Sequence, residues 1–120
     1  MDTVTSLLAE LVAIDSVNPD LVPGGAGEGR IAQFVADWLR AAGLQVRLDE
    51  VRPGRPNVVA VAHGRGSGRT LLLNGHLDTV GVAGYENPHQ PAVDGTRLSG
   101  RGAYDMKGGL AACMVNEQLR

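Results

Sequence analysis

The chain lacks any apolar run near the roughly 20 residues of a membrane span, and Met1-Asp2-Thr3 lacks the basic start of a secretory signal. No membrane partner is expected, and the cytoplasm is the expected compartment. Cysteine occurs once, at Cys113, so no disulfide can close within the chain, and a lone cysteine in a helical pattern reads as a small buried hydrophobe. Basic excess is also lacking: 11 Lys and Arg against 13 Asp and Glu leave a net charge of -2. The arginines are scattered without aromatic neighbours. Nothing here matches the electrostatic footprint of a nucleic-acid binder, and none is expected as a partner.

What is present suits one soluble globular unit. The chain has 120 residues, 43% hydrophobic and 20% charged, and a chain of this size can bury about two thirds of its unfolded surface. Its 17 glycines favour tight turns and close backbone approaches. Val4, Leu7, Leu8, Leu11 and Val12 recur at three- and four-residue intervals, predicting a helix over 3–14. Ser16-Val17-Asn18-Pro19 ends it, the proline keeping Asn18 out of helical conformation, and 21–27 reads as a flexible loop. Ile31, Phe34, Val35, Trp38 and Leu39 predict a second helix over 28–42, stopped by Gly43. The aromatic pair reads as core.

Three strand-like runs follow, 44–51, 57–63 and 70–74. Val58-Val59-Ala60-Val61-Ala62 and Leu71-Leu72-Leu73 are nearly continuous in apolar residues, as in strands covered on both faces. Asp94-Gly95 signals a two-residue hairpin turn, and a helical pattern resumes over 109–120 through Leu110, Cys113, Met114 and Leu119. The expected fold is α/β: a mixed, mostly buried sheet flanked by helices.

His76 follows the run Leu71-Leu72-Leu73, at the C-terminal end of an expected core strand, where open α/β sheets bind ligands. If 76–78 is extended, His76 and Asp78 project to one side. The carboxylate then orients the imidazole and leaves the other ring nitrogen for a metal. The plain alternative is a surface hydrogen-bonded pair. Asp105 lies between Gly100-Arg101-Gly102 and Gly108-Gly109, and a carboxylate there can span two ions or simply cap the next helix. Arg101 and Lys107 flank it, either to steady its charge or to line the cleft mouth. Gly64-Arg65-Gly66-Ser67-Gly68 lacks the lysine and following helix of a phosphate loop. His63, His89 and Glu117 read as structural or solvated residues.

Taken together, several stretches resemble the M20 metallopeptidase family, the dinuclear zinc amidohydrolases and peptidases of the acetylornithine deacetylase and succinyl-diaminopimelate desuccinylase type. They are Ser16-Val17-Asn18-Pro19, the helix carrying Glu28, the run His76-Leu77-Asp78-Thr79-Val80, and Gly100-Arg101-Gly102-Ala103-Tyr104-Asp105-Met106-Lys107-Gly108-Gly109. The resemblance implies the N-terminal part of a zinc-peptidase-like catalytic domain, with residues 1–120 as its N-terminal portion. His76 would bind one zinc, Asp105 would bridge two, and Asp78 would serve catalysis by orienting His76. The Asp105-Met106 peptide would be cis. Cobalt or manganese would substitute for zinc, the substrate would be a small N-acyl amino acid or peptide, and the full-length protein would be a homodimer.

Two departures bear on this. The family often has proline soon after its first-motif aspartate, where this chain has Val80-Gly81. The family's Glu-Glu pair, which supplies the general base and a ligand, its further acidic ligand, its C-terminal histidine and its inserted dimerisation domain are not in residues 1–120. The expected function is therefore amide-bond hydrolysis by the full enzyme, with this chain inactive alone. A truncated or degenerate copy acting as a non-catalytic binding or interaction module is the alternative, and a mononuclear metal-binding protein using His76 and Asp105 is a third reading.

Overall fold

Among the described residues, 1–118 of the chain in this computed structural model, three α-helices and two β-hairpins make up most of the regular structure. Helix α1 (Thr3–Val12) starts where the Asp2 carboxylate accepts the Thr5 backbone N–H at 2.8 Å, satisfying an otherwise unpaired helix-end donor. Helix α2 (Gly29–Ala41) ends before Gly43, whose φ of +93° suits only a residue without a Cβ. Strands β1 (Gln45–Arg52) and β2 (Arg55–Val61) form an antiparallel hairpin, with Val46 opposite Ala60 and Leu48 opposite Val58. A second hairpin pairs β3 (Ala92–Asp94) with β4 (Arg97–Ser99). A wide turn, Ala103–Lys107, then leads into α3 (Gly108–Gln118). The expected continuation of this helix through Leu119 to Arg120 lies outside the described residues.

The apolar stripes meet in one core. Leu7 and Leu11 of α1, Ile31, Val35 and Leu39 of α2, and Ala111, Met114 and Val115 of α3 form its buried cluster. Phe34, Trp38, Val46, Val58 and Ala60 pack against it while partly buried, so the aromatic pair belongs to the core as expected. Glu28 holds the hairpin to the start of α2. Its carboxylate takes a two-pronged grip from Arg55, at 2.5 and 2.7 Å, a geometry that the planar guanidinium favours. No helix among the described residues is long and apolar enough to cross a membrane.

The α/β reading and the helix order stand, but the sheet differs from expectation. There is no mixed, mostly buried sheet among the described residues; there are two antiparallel two-stranded sheets. Their strands are partly or fully exposed, because α2 covers only one face of the β1–β2 hairpin. The expected strand over 70–74 is not formed. Leu71, Leu72 and Leu73 are 78%, 83% and 44% exposed, and no described strand pairs with them. An apolar run records a capacity for burial, but a strand also needs a neighbour for its backbone groups. The short hairpin turn is Gly95-Thr96 rather than Asp94-Gly95, since Asp94 pairs with Arg97. Gly95, at φ +59°, takes the first central position, where a two-residue turn can require positive φ.

Candidate metal centre

The segment after α1 determines where His76 and Asp78 lie. Val17 and Thr79 form a parallel bridge, with Thr79 N–H donating to Ser16 O at 3.0 Å and Asn18 N–H to Thr79 O at 2.9 Å. The buried Ser16 hydroxyl adds a bond to Leu77 O at 2.8 Å. This pairing holds 77–79 extended beside 16–18, and the His76 and Asp78 side chains turn to the same side. Asp78 Oδ1 lies 3.1 Å from His76 Nδ1, and the Asp78 backbone oxygen is also 3.1 Å away. With two acceptors facing it, Nδ1 carries a proton.

Asp105 arrives from the turn before α3. Its backbone (φ -123°, ψ 97°) and that of Met106 (φ -131°, ψ 33°) leave helical geometry, and the Asp105-Met106 peptide is cis, as the family resemblance implied. The carboxylate is 74% exposed and reaches His76, with Oδ1 2.9 Å from Nε2. Gly75 lies against the Met106 side chain. A Cβ there would lie 2.8 Å from Met106 Cε, and Met106 Sδ takes the His76 backbone N–H at 3.3 Å. Partial burial pulls the His76 pKa down, but the bonds to Asp105 and Asp78 and the charges of both carboxylates outweigh it, and the net shift is upward.

A cleft of about 260 Å³ opens beside Asp105, lined by Val80, Gly100, Arg101, Gly102 and Tyr104. Arg101 does line this cleft, while its guanidinium stacks over the Tyr85 ring at 4.9 Å. Lys107 departs from expectation: it neither steadies Asp105 nor reaches the cleft. Its side chain is 1% exposed, and its ammonium donates to Leu11 O and Ile14 O, both at 2.8 Å, at the end of α1. Elsewhere, His63 contacts Gln45 Oε1 at 3.0 Å, and His89 lies 3.6 Å from the Asp15 carboxylate, a neighbour that sequence spacing did not suggest. Glu117 is half-buried on α3 rather than fully solvated.

Asn18 and Lys107 hold the site together without belonging to its expected ligands. Their partners are 60 residues or more away in sequence, so no local spacing rule points to them.

The donor chemistry suits a divalent cation in part. An imidazole nitrogen and a carboxylate oxygen are both good zinc donors, and two ligands at roughly 2.0–2.1 Å from one ion sit a little over 3 Å apart. The 2.9 Å contact between His76 and Asp105 therefore needs only a small separation to admit an ion. A complete site asks for more. No cluster of three or more His, Cys, Asp or Glu side chains among the described residues is arranged to hold a metal.

The segment holding His76, Asp78 and Asp105 matches a known family model, Peptidase family M20/M25/M40, over residues 72–115. Relatives extend the similarity toward both ends. The chain is 37% identical over 117 residues to a succinyl-diaminopimelate desuccinylase of Leptothrix cholodnii, covering 92% of this chain and 29% of the relative. The chain belongs to peptidase family M20/M25/M40. Other M20 relatives include an acetylornithine deacetylase of Vibrio cholerae, 35% identical over 105 residues, covering 84% of this chain and 27% of that protein. An N-formyl-4-amino-5-aminomethyl-2-methylpyrimidine deformylase of Halalkalibacterium halodurans is 41% identical over 88 residues, 68% of this chain and 21% of the relative. Each match thus spans between a fifth and three tenths of the relative's length.

Proposed function

We propose that this M20 chain supplies part of a two-zinc centre for hydrolysis of amide bonds in N-acyl amino acids or small peptides. His76 and Asp105 are the metal ligands of this reading, with Asp105 shared between ions and Asp78 orienting His76. The observation that carries it is the meeting of His76 Nε2 and Asp105 Oδ1 at 2.9 Å across 29 residues of sequence, with the Asp78 carboxylate behind the ring. The relatives support the reaction class, since deformylase, deacetylase and desuccinylase all name the removal of an acyl group.

Bound zinc would polarise the scissile carbonyl and lower the pKa of a water toward about 7. The chain's own residues prepare for it. Asp78 keeps the His76 proton on Nδ1, which directs the Nε2 lone pair toward the ion. The exposed Asp105 carboxylate has a second oxygen available for a second ion. Cobalt and manganese are substitutes in this reading. Among the described residues two metal donors meet and no third His, Cys, Asp or Glu side chain joins them to hold a metal, so little or no turnover is expected from the chain alone.

Calorimetric titration of the chain with zinc tests the assignment. Wild type should bind weakly through its two donors, His76→Ala and Asp105→Ala should abolish that binding, and Asp78→Asn should weaken it about 10- to 100-fold, as losing a ligand's orienting partner typically does. No zinc uptake by wild type, or uptake unchanged in His76→Ala, overturns it.

A further inference from the structure

Asn18 stands in the turn after α1 and uses both ends of its amide. Its Oδ1 accepts the Asp20 backbone N–H at 2.8 Å, closing a turn over Pro19. With the oxygen committed there, the nitrogen is the end that faces the site, and Nδ2 donates to Asp78 Oδ2 at 2.8 Å. The other oxygen, Oδ1, is the one 3.1 Å from His76 Nδ1. Both oxygens of Asp78 are therefore engaged, one by Asn18 and one by the ring. A carboxylate held at a single oxygen can pivot about that contact; held at two, its plane is set.

The backbone of Asn18 is fixed as well. Its N–H donates to Thr79 O at 2.9 Å, and its carbonyl accepts from Leu21 and Val22 at 3.1 and 3.0 Å. The amide thus projects from a rigid turn bonded to the strand-like segment that carries Asp78. We propose that Asn18 is a positioning residue: it sets the plane of the Asp78 carboxylate and, through it, the direction in which His76 presents Nε2. The proposal rests on the metal-site reading above for its role in zinc binding, while the hold on His76 exists without metal.

The near-isosteric substitution Asn18→Asp separates positioning from a turn-forming role. Aspartate closes the same turn with the Asp20 N–H, but it faces Asp78 with an acceptor in place of a donor. A bare charge effect would tighten cation binding, because a negative charge has been added near the site. Loss of positioning loosens it. Zinc titration should show binding at least about tenfold weaker in Asn18→Asp, with the fold retained by circular dichroism. Equal or tighter binding overturns the proposal.

A metal-free measurement keeps the question separate from the functional reading. In long-range ¹H–¹⁵N spectra, the His76 ring nitrogens should shift in both Asn18→Asp and Asn18→Ala and stay in place in Asp20→Ala. Unmoved ring signals in both Asn18 variants overturn the proposal. Absence of zinc uptake by wild type overturns the functional reading and leaves this spectrum to decide the role of Asn18.

Discussion

Replacing Lys107 with methionine sets two large effects of opposite sign against each other. The ammonium is buried and donates to Leu11 O and Ile14 O, both at 2.8 Å. Two hydrogen bonds from a charged group are together worth about 3–6 kcal/mol. Against them stands the cost of burying the charge. Burial pushes the Lys107 pKa down from 10.5 to about 8, while the Asp15 charge pulls it up, and a drop of that size corresponds to roughly 3 kcal/mol. Methionine has similar length, fills the same channel and escapes that cost. It also leaves Ile14 O without this donor, whereas Leu11 O keeps the Ile14 N–H at 3.2 Å. The bonds therefore win, and Lys107→Met should destabilise the chain by about 1–3 kcal/mol at pH 7.

The pH dependence provides a second check. The folded-state pKa lies below the unfolded value, so between about pH 8 and 10.5 the unfolded chain binds more proton, and wild-type stability rises with pH in that window. The neutral amine still donates to both carbonyls, while methionine has no such gain. Urea unfolding of the metal-free proteins should show a gap at pH 7 that widens toward pH 10. A methionine variant as stable as wild type at pH 7, or a gap that closes toward pH 10, refutes the reasoning.

Gly102 sits at φ +83°, and a Cβ there would come within 2.6 Å of Thr79 Cγ2, on a buried residue. Gly102→Ala should cost at least about 2 kcal/mol from left-handed strain and overpacking combined, read as a fall in urea midpoint; an unchanged midpoint counts against the packing described. Arg52 and Arg55 beside the exposed Asp20 carboxylate hold its pKa below 3.8. Its stabilising contribution is present above 3.8 and lost as pH falls through the lower folded value. Asp20→Asn should therefore melt below wild type at pH 7 and together with it in strong acid, and a difference that persists in acid contradicts this account.

The three helices were legible because each buries one stripe of a 3.6-residue period, and periodicity records that directly. The cis peptide and the expected ligand roles of His76 and Asp105 came from family resemblance; the peptide is cis, and the two side chains meet directly at 2.9 Å. What failed was inference from apolar runs. Leu71-Leu72-Leu73 has the composition of a core strand and lies exposed, because pairing and cover come from other elements and are not written in the run itself. Lys107 was misread for a related reason. A charged residue beside an aspartate suggests electrostatic support, yet its long apolar stem lets the ammonium cross to two backbone carbonyls at the end of α1, Leu11 O and Ile14 O.

The residues joining the two halves of the site explain why His76 and Asp105, 29 positions apart in sequence, come together at one point. Ile14 O receives Lys107, which anchors the turn bearing Asp105. Four residues later Asn18 holds Asp78, and between them Ser16 and Val17 pair with 77–79. The segment 14–18 is thus bonded on one side to the Asp105 turn and on the other to the His76 segment. Bonds to backbone carbonyls and a fixed amide permit little drift, whereas the chain between 80 and 100 contributes only a short exposed hairpin and loops. The separation between His76 and Asp105 is therefore set by their shared attachment to the end of α1 more than by the sequence connecting them. A lengthened β3–β4 turn is tolerable on this geometry, and a residue inserted between Ile14 and Asn18 is not.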